Sequence, residues 1–140
     1  MTDADIDSTM RDILQNTKTI AVVGASDKQH RASFGVMRFL QNKGYRCIPV
    51  SRRLAGRELL GEKVFATLGD INESIDMVDL FVNSELAGPV VDEAIAAGAR
   101  AIWMQLGVVN EAAAERARSA GLKVVMDHCP AQEWTRLGLD

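Results

Sequence analysis

The sequence predicts an α/β domain built on an open, doubly wound parallel sheet of about five strands, with helices on both faces. Five short runs are almost continuously hydrophobic, as strands covered on both faces are. Segments with the apolar spacing of a helix separate most of these runs. Three of those segments end at a glycine with at most two residues before the next run, which is the repeating unit of such a sheet. With 140 residues, the chain is expected to form a single domain over residues 1–140.

Each element follows from a local pattern. The predicted strands cover residues 19–24, 46–50, 77–82, 101–105 and 123–126. Apolar residues at helical spacing predict a leading helix within residues 1–17, with Thr2 or Asp3 as its N-cap. Ser33 is predicted to cap a helix over residues 33–43, and Asn110 a helix over residues 111–120. Residues 87–97 predict a further helix, whereas residues 51–76 predict only a turn or two of helix.

Composition excludes several classes of function. The formal net charge of -3 argues against nucleic acid as the main partner. No apolar stretch is long enough to span a bilayer, and the acidic start lacks the pattern of a signal peptide, so we expect a cytoplasmic protein without membrane contact. Two cysteines do not make a disulfide framework, and Cys47 lies in an apolar run that predicts a buried free thiol.

No metal site and no catalytic residue is predicted. The chain has two histidines and two cysteines, too few well-spaced ligands for a zinc site. The triplet Asp127-His128-Cys129 combines residue types used in nucleophilic catalysis. Adjacent residues of an extended segment point to opposite faces, however, so His128 and Cys129 are poorly placed to pair.

A basic segment, residues 28–57, follows the first predicted strand. It holds eight bases and no acid. These bases are Lys28, Arg31, Arg38, Lys43, Arg46, Arg52, Arg53 and Arg57. The segment begins just after a strand-to-helix turn, Gly24-Ala25-Ser26, where backbone N–H groups and the helix dipole favour negative charge. We therefore expect a small, multiply charged anion such as a nucleotide, held by bare amides and cationic side chains.

Small polar or basic residues follow four of the predicted strands, at the edge where ligands bind in doubly wound sheets. These four groups are Gly24-Ala25-Ser26, Ser51-Arg52-Arg53, Val82-Asn83-Ser84 and Gln105-Leu106-Gly107. Agreement among four separate loops predicts that the ligand lies along this edge of the sheet.

The nucleotide is expected to carry a phosphate on its ribose. The glycine fingerprint of dinucleotide-binding proteins is absent after Gly24, and Arg52 and Arg53 stand where an NAD-binding protein places a carboxylate. A carboxylate would repel a ribose phosphate, whereas arginines attract one. NADP and coenzyme A (CoA) both carry such a phosphate, and the missing fingerprint favours CoA.

Five patches of the sequence resemble the small single-domain CoA-binding proteins of bacteria and archaea, relatives of the N-terminal domain of the succinyl-CoA synthetase α subunit. The resemblance extends over residues 18–139. The patches are Ala21-Val22-Val23-Gly24-Ala25-Ser26, Gly44-Tyr45 with Ile48-Pro49-Val50-Ser51, Asp76-Met77-Val78-Asp79-Leu80-Phe81, Trp103-Met104-Gln105-Leu106-Gly107-Val108 and Val125-Met126-Asp127-His128-Cys129-Pro130. The resemblance implies a Rossmann-like fold that binds CoA or an acyl-CoA at the carboxyl edge of the sheet.

The resemblance also implies roles for individual residues. Gly24, Ala25 and Ser26 would form the loop against the phosphates, and Ser33 would face the diphosphate. The other implied residues are Val50, Ser51 and Arg52 on the adenosine side, with Asn83, Ser84, Gln105 and Gly107 along the path of the thiol arm. We expect Arg31 and Arg53 to add charge to this site. Similar proteins often have arginine where this chain has Val82, and Arg52 is expected to replace that charge.

Three functions remain open on the sequence. The first is a CoA-binding module without chemistry of its own, because the synthetase relatives place their catalytic groups in a further domain. The second is an NADP-dependent oxidoreductase, which would keep the fold and the arginines. The third is a protein-interaction module with a vestigial nucleotide pocket, and the sequence does not identify its partner.

Overall fold

A five-stranded parallel sheet, seen in a computed structural model that describes residues 2–139, forms the centre of the protein. The strands in chain order are β1 (Thr19–Val23), β2 (Arg46–Val50), β3 (Glu58–Leu59), β4 (Glu62–Lys63), β5 (Met77–Leu80), β6 (Ala101–Met104) and β7 (Lys123–Val125). The main sheet has the order β2-β1-β5-β6-β7, and β3 and β4 form a separate antiparallel pair. The predicted sheet is confirmed. Strand order reverses at β1, which lies between β2 and β5.

Helices cover both faces of the sheet, as predicted. They are α1 (Asp3–Asn16), α2 (Ala32–Asn42), α3 (Ser84–Ala96), α4 (Glu111–Ser119) and α5 (Pro130–Arg136). Successive strand residues point to opposite faces. Ile20, Val22 and Trp103 therefore pack with α1, α2 and α5. Ala21 and Ile102 pack on the other face with α3 and α4.

Helix starts were predicted with mixed success. The side chains of Thr2 and Asn110 cap α1 and α4, so these two predictions are confirmed. The prediction for Ser33 is wrong, because α2 begins at Ala32 and Arg31 occupies the N-cap position without a side-chain hydrogen bond. The third helix begins earlier than predicted, at Ser84, because the Asn83 side chain accepts a hydrogen bond from the amide of Leu86.

Two regions differ from the sequence prediction. Between β2 and β5 the chain forms the β3–β4 pair and a 3₁₀ turn at Leu68–Asp70. Phe65 then forms a parallel bridge with Val50, which covers the outer edge of β2. At the other end of the chain, α5 was not predicted; it begins at Pro130, whose ring suits the first turn of a helix.

The core holds a buried carboxylic acid, Asp79. It lies on β5 in register with Val22 of β1 and Trp103 of β6, and its exposure is 0%. Within residues 2–139 neither carboxyl oxygen has a hydrogen-bond partner. Loss of hydration raises the pKa of Asp79 well above its ordinary value, because burial disfavours the charged carboxylate.

Both cysteines are buried and free, as predicted for Cys47. No helix in the part of the chain that the structure describes is long and apolar enough to cross a membrane.

Candidate functional site

A cleft of about 480 Å³ opens at the carboxyl ends of β1, β5 and β6. The reversal of strand order at β1 places it there, since the connections after β1 and β5 leave in different directions. Eight of the predicted site residues line the cleft. These are Gly24, Ala25, Ser26, Arg31, Ser33, Arg53, Val82 and Gln105.

The turn after β1 holds the strand ends together. Gly24 has φ +87, and a Cβ at this position would lie 2.2 Å from the carbonyl oxygen of Phe81. The amides of Gly24 and Ala25 both donate to the carbonyl oxygen of Val50, at 3.0 and 3.2 Å. The expectation that bare amides of this turn face a ligand is therefore wrong for Gly24 and Ala25. Val50 itself is buried and lies outside the lining of the cleft.

The start of α2 offers the backbone donors that the turn does not. The amides of Phe34 and Gly35 donate to the carbonyl oxygen of Arg31. The amides of Ala32 and Ser33 precede them in the first helical turn, where no intrahelical acceptor exists. No side chain caps this helix, and both residues line the cleft. The positive end of the α2 dipole is thus directed at the cleft.

Three of the eight bases of the basic segment line the cleft: Lys28, Arg31 and Arg53. The eight bases therefore do not form a single surface, in contrast to the expectation from the sequence. Arg46, for example, lies at the opposite edge of the sheet, where its guanidinium binds Glu62 at 2.9 Å and Glu73 at 2.6 Å.

Arg53 lies beside Asp27, the acid that immediately precedes the basic segment. Its guanidinium is 3.1 Å from the Asp27 carboxylate, and the hydrogen bond from Arg53 holds the pKa of Asp27 below its ordinary value. Both side chains are exposed, at 61% and 43%. Exposed ion pairs contribute only about 0–1 kcal/mol, so an anionic ligand can replace Asp27 at low cost.

Gln105 is the buried polar side chain of the cleft. It is 5% exposed, directly follows β6, and lines the cleft. Its Oε1 has no hydrogen-bond partner among residues 2–139. A buried carbonyl oxygen without a donor costs about 1–3 kcal/mol. A ligand that presents an N–H or O–H group at this point would recover that cost.

The remaining predicted residues lie outside the lining, and all of them except Arg52 support the loops around it. Asn83 caps α3, and the Ser84 hydroxyl accepts a hydrogen bond from the amide of Val109 at 3.0 Å. The Ser51 hydroxyl accepts from the amide of Leu54 at 3.3 Å. Arg52 is exposed and does not line the cleft. Gly107, with φ +81, donates its amide to the Asp127 carboxylate at 2.7 Å.

That contact gives Asp127 a role that the sequence analysis missed. Asp127 has φ +60, a conformation that aspartate tolerates better than most side chains. From this position its Oδ1 holds the loop that follows Gln105. The unusual backbone at Asp127 therefore positions a carboxylate that fixes this loop, which forms part of the cleft wall.

Five lining residues were not assigned to the site individually from the sequence: Lys28, Ala32, Phe81, Leu106 and Val108. Lys28 belongs to the basic segment and Leu106 to the group that follows β6, while Phe81 adjoins a predicted residue, so position relative to the strand ends could have found them. Ala32 and Val108 are small or apolar and carry no chemical signal in the sequence.

The His128–Cys129 pair lies apart from the cleft lining. The Nδ1 of His128 is 3.1 Å from the Glu133 carboxylate, and Cys129 is 5% exposed. Among residues 2–139, no group of three or more His, Cys, Asp or Glu side chains could hold a metal ion.

Known proteins resemble this chain over most of its length. The YneT protein of Bacillus subtilis is 39% identical over 120 residues, which cover 86% of this chain and 87% of YneT. A solved structure of a hypothetical protein from Pyrococcus horikoshii has a TM-score of 0.89 and 39% identity, covering 94% of this chain and 91% of that one. A protein from Thermus thermophilus, cell-free ID.343, has a TM-score of 0.89 and 35% identity, covering 94% and 98% of the two chains.

The family comparison agrees with the resemblance noted in the sequence. A CoA binding domain family matches residues 18–135, which include every strand of the main sheet and every residue that lines the cleft. This protein is therefore a member of the CoA binding domain family.

Proposed function

We propose that the chain binds coenzyme A, free or acylated, in the cleft at the carboxyl edge of the sheet. The observation that carries this proposal is that Lys28, Arg31 and Arg53 line the same cleft as the uncapped start of α2. CoA brings a diphosphate and a ribose 3′-phosphate, whose charge is opposite to that of these side chains. The pairing of cations with free helix amides suits phosphate better than it suits a neutral ligand.

The two phosphate groups are assigned to different parts of the cleft. The diphosphate lies against Ser26 and the amides of Ala32 and Ser33, with Lys28 and Arg31 beside it. The ribose phosphate lies against Arg53, which exchanges its exposed contact with Asp27 for the ligand. The adenosine lies toward the end of β2 and the segment that follows it, residues 50–53.

The pantetheine arm of CoA then runs along the ends of β5 and β6. Its amide N–H groups supply the donor that Gln105 Oε1 lacks. Asn83, Ser84 and Gly107 lie outside the lining, so we assign them to loop support near the arm.

We infer that the domain binds CoA without chemistry of its own. The thiol of Cys47 is buried, and loss of hydration raises its pKa to about 12, so the thiolate form needed for nucleophilic attack is scarce at neutral pH. Cys129 is also buried, and neither cysteine lines the cleft. His128 is hydrogen-bonded to Glu133 and likewise lies outside the lining.

The ribose phosphate provides the sharpest test. We expect dephospho-CoA to bind about tenfold or more weakly than CoA, because one charge-assisted hydrogen bond contributes about 1.5–3 kcal/mol. Isothermal titration calorimetry measures both affinities. The variant Arg53→Gln should reduce the difference between the two ligands. Arg38→Gln is the matched control, since Arg38 is an exposed arginine of the same basic segment that does not line the cleft.

Equal affinities for CoA and dephospho-CoA would overturn the role of Arg53. NADP and NAD complete the ligand panel. Tight NADP binding with no detectable CoA binding would favour the oxidoreductase instead. Binding of none of these ligands would favour an interaction module with a vestigial pocket.

A further inference from the structure

One side of the cleft wall is cationic and the other side is apolar. Lys28, Arg31 and Arg53 lie on the side of β1 and β2, whereas Val82, Leu106 and Val108 belong to the connections after β5 and β6. The cleft is therefore amphipathic. A ligand that only presents phosphates would leave its apolar side uncovered.

The apolar side continues onto the protein surface. In the described part of the chain, the exposed large hydrophobic residues are Leu86, Leu106 and Val109, at 55%, 52% and 43% exposure. We call these three residues the apolar rim. Leu106 lines the cleft, and Val109 directly follows the lining residue Val108. Leu86 lies in the first turn of α3, which follows the lining residue Val82.

Hydrogen bonds hold the two parts of the apolar rim together. The Ser84 hydroxyl accepts from the amide of Val109 at 3.0 Å, and the Asn110 side chain donates to the Ser84 carbonyl oxygen at 2.9 Å. The start of α3 and the β6–α4 connection thus form one supported surface. The apolar rim is therefore exposed although hydrogen bonds hold the segments that carry it in place.

Gln105 lies on the path between the cationic side and the apolar rim. It directly precedes Leu106, and its buried Oε1 needs a donor. The amide groups of a pantetheine arm supply such donors, and the sulfur lies at the end of that arm. With the phosphates on the cationic side and the arm at Gln105, the sulfur end of the arm would be directed toward the apolar rim, whose member Leu106 directly follows Gln105.

We propose that the physiological ligand is an acyl thioester of CoA with a chain longer than acetyl, and that the chain lies on Leu86, Leu106 and Val109. This proposal rests on the proposed function, because the phosphates must first fix the orientation of the ligand. The acyl chain covers surface that free CoA leaves exposed to water. No bond is made or broken in this step.

The test is the dependence of affinity on acyl-chain length. Calorimetry with CoA, acetyl-CoA, butyryl-CoA, hexanoyl-CoA and octanoyl-CoA, each below its micelle concentration, should show affinity rising about two- to fourfold for each buried methylene. Leu86→Ser and Val109→Ser should flatten this rise, with the affinity of each variant for free CoA as its own reference. Ala96→Ser, at the exposed far end of α3, is the control and should retain the rise.

Each other outcome overturns a defined part. If CoA binds and longer chains bind no more tightly, the acyl proposal fails and the proposed function stands. If the rise survives in both rim variants, the chain lies elsewhere and the assignment to the apolar rim fails. If sedimentation shows a dimer that Leu86→Ser dissociates, the rim is a contact between two copies and the proposal fails. If neither CoA nor any acyl-CoA binds, the proposed function fails as well.

Discussion

Replacing Gly24 by alanine is expected to lower the free energy of unfolding by about 3–5 kcal/mol and to abolish ligand binding. Two costs combine at this position. The backbone has φ +87, which strains any residue with a Cβ, and the new Cβ would lie 2.2 Å from the carbonyl oxygen of Phe81 and 2.9 Å from its carbonyl carbon. Backbone atoms cannot rotate away as a side chain can. The ends of β1 and β5, which form the floor of the cleft, must therefore separate.

A matched variant separates the two costs. Gly121 has φ +90, but an added Cβ there would meet no atom within 4 Å. Gly121→Ala should therefore cost only the backbone strain, about 1–2 kcal/mol. Urea unfolding followed by circular dichroism measures both variants. Equal losses would contradict the claim that the close approach to Phe81 makes Gly24 necessary.

Asp79 is expected to make the protein less stable as the pH rises. Its pKa is raised in the folded state by burial, so the native protein retains a proton that the unfolded chain releases above about pH 4. The stabilising contribution is complete below the unfolded pKa and is lost as the pH rises through the folded pKa. The loss is about 1.4 kcal/mol for each pH unit in that window.

Two substitutions test this. Asp79→Asn keeps a buried polar side chain but cannot ionise. The unfolding free energy of the variant minus that of wild type should therefore become more positive from acid to neutral pH. Asp79→Val should in addition raise stability at every pH, by about 1–3 kcal/mol, because a buried polar group without partners is removed. Glu58→Gln, an exposed change on β3, is the control. A pH profile that Asp79→Asn leaves parallel to that of wild type would refute the prediction.

Hydrophobic patterning predicted the main sheet because strands covered on both faces must be apolar throughout. The same reasoning could not find β3 and β4, which are two residues each and carry charged side chains such as Glu62 and Lys63. It also placed the helix cap at Ser33, since serine is a favoured cap. In the folded chain Ser33 is 5% exposed inside α2, and tertiary packing decides its position.

The site was predictable in location but less so in its contacts. Strand ends in the sequence located Gly24, Arg53 and Gln105 correctly at the cleft. The amides of Gly24 and Ala25 donate to the carbonyl oxygen of Val50 because β1 pairs with β2. No local sequence pattern predicts that pairing. The contact between Arg53 and Asp27 joins residues 26 positions apart and was likewise invisible in the sequence.

The central claim is that the cleft at the carboxyl edge of the sheet holds CoA. A titration of ¹⁵N-labelled protein with CoA, followed by ¹H–¹⁵N correlation spectra, tests it most directly. The amides of Ser26, Ala32, Ser33 and Gln105 should show the largest shifts, while those of Gly44, Gly98 and Gly121 at the opposite edge should stay nearly unchanged. Shifts concentrated at the opposite edge, or no shifts at saturating CoA, would contradict the account.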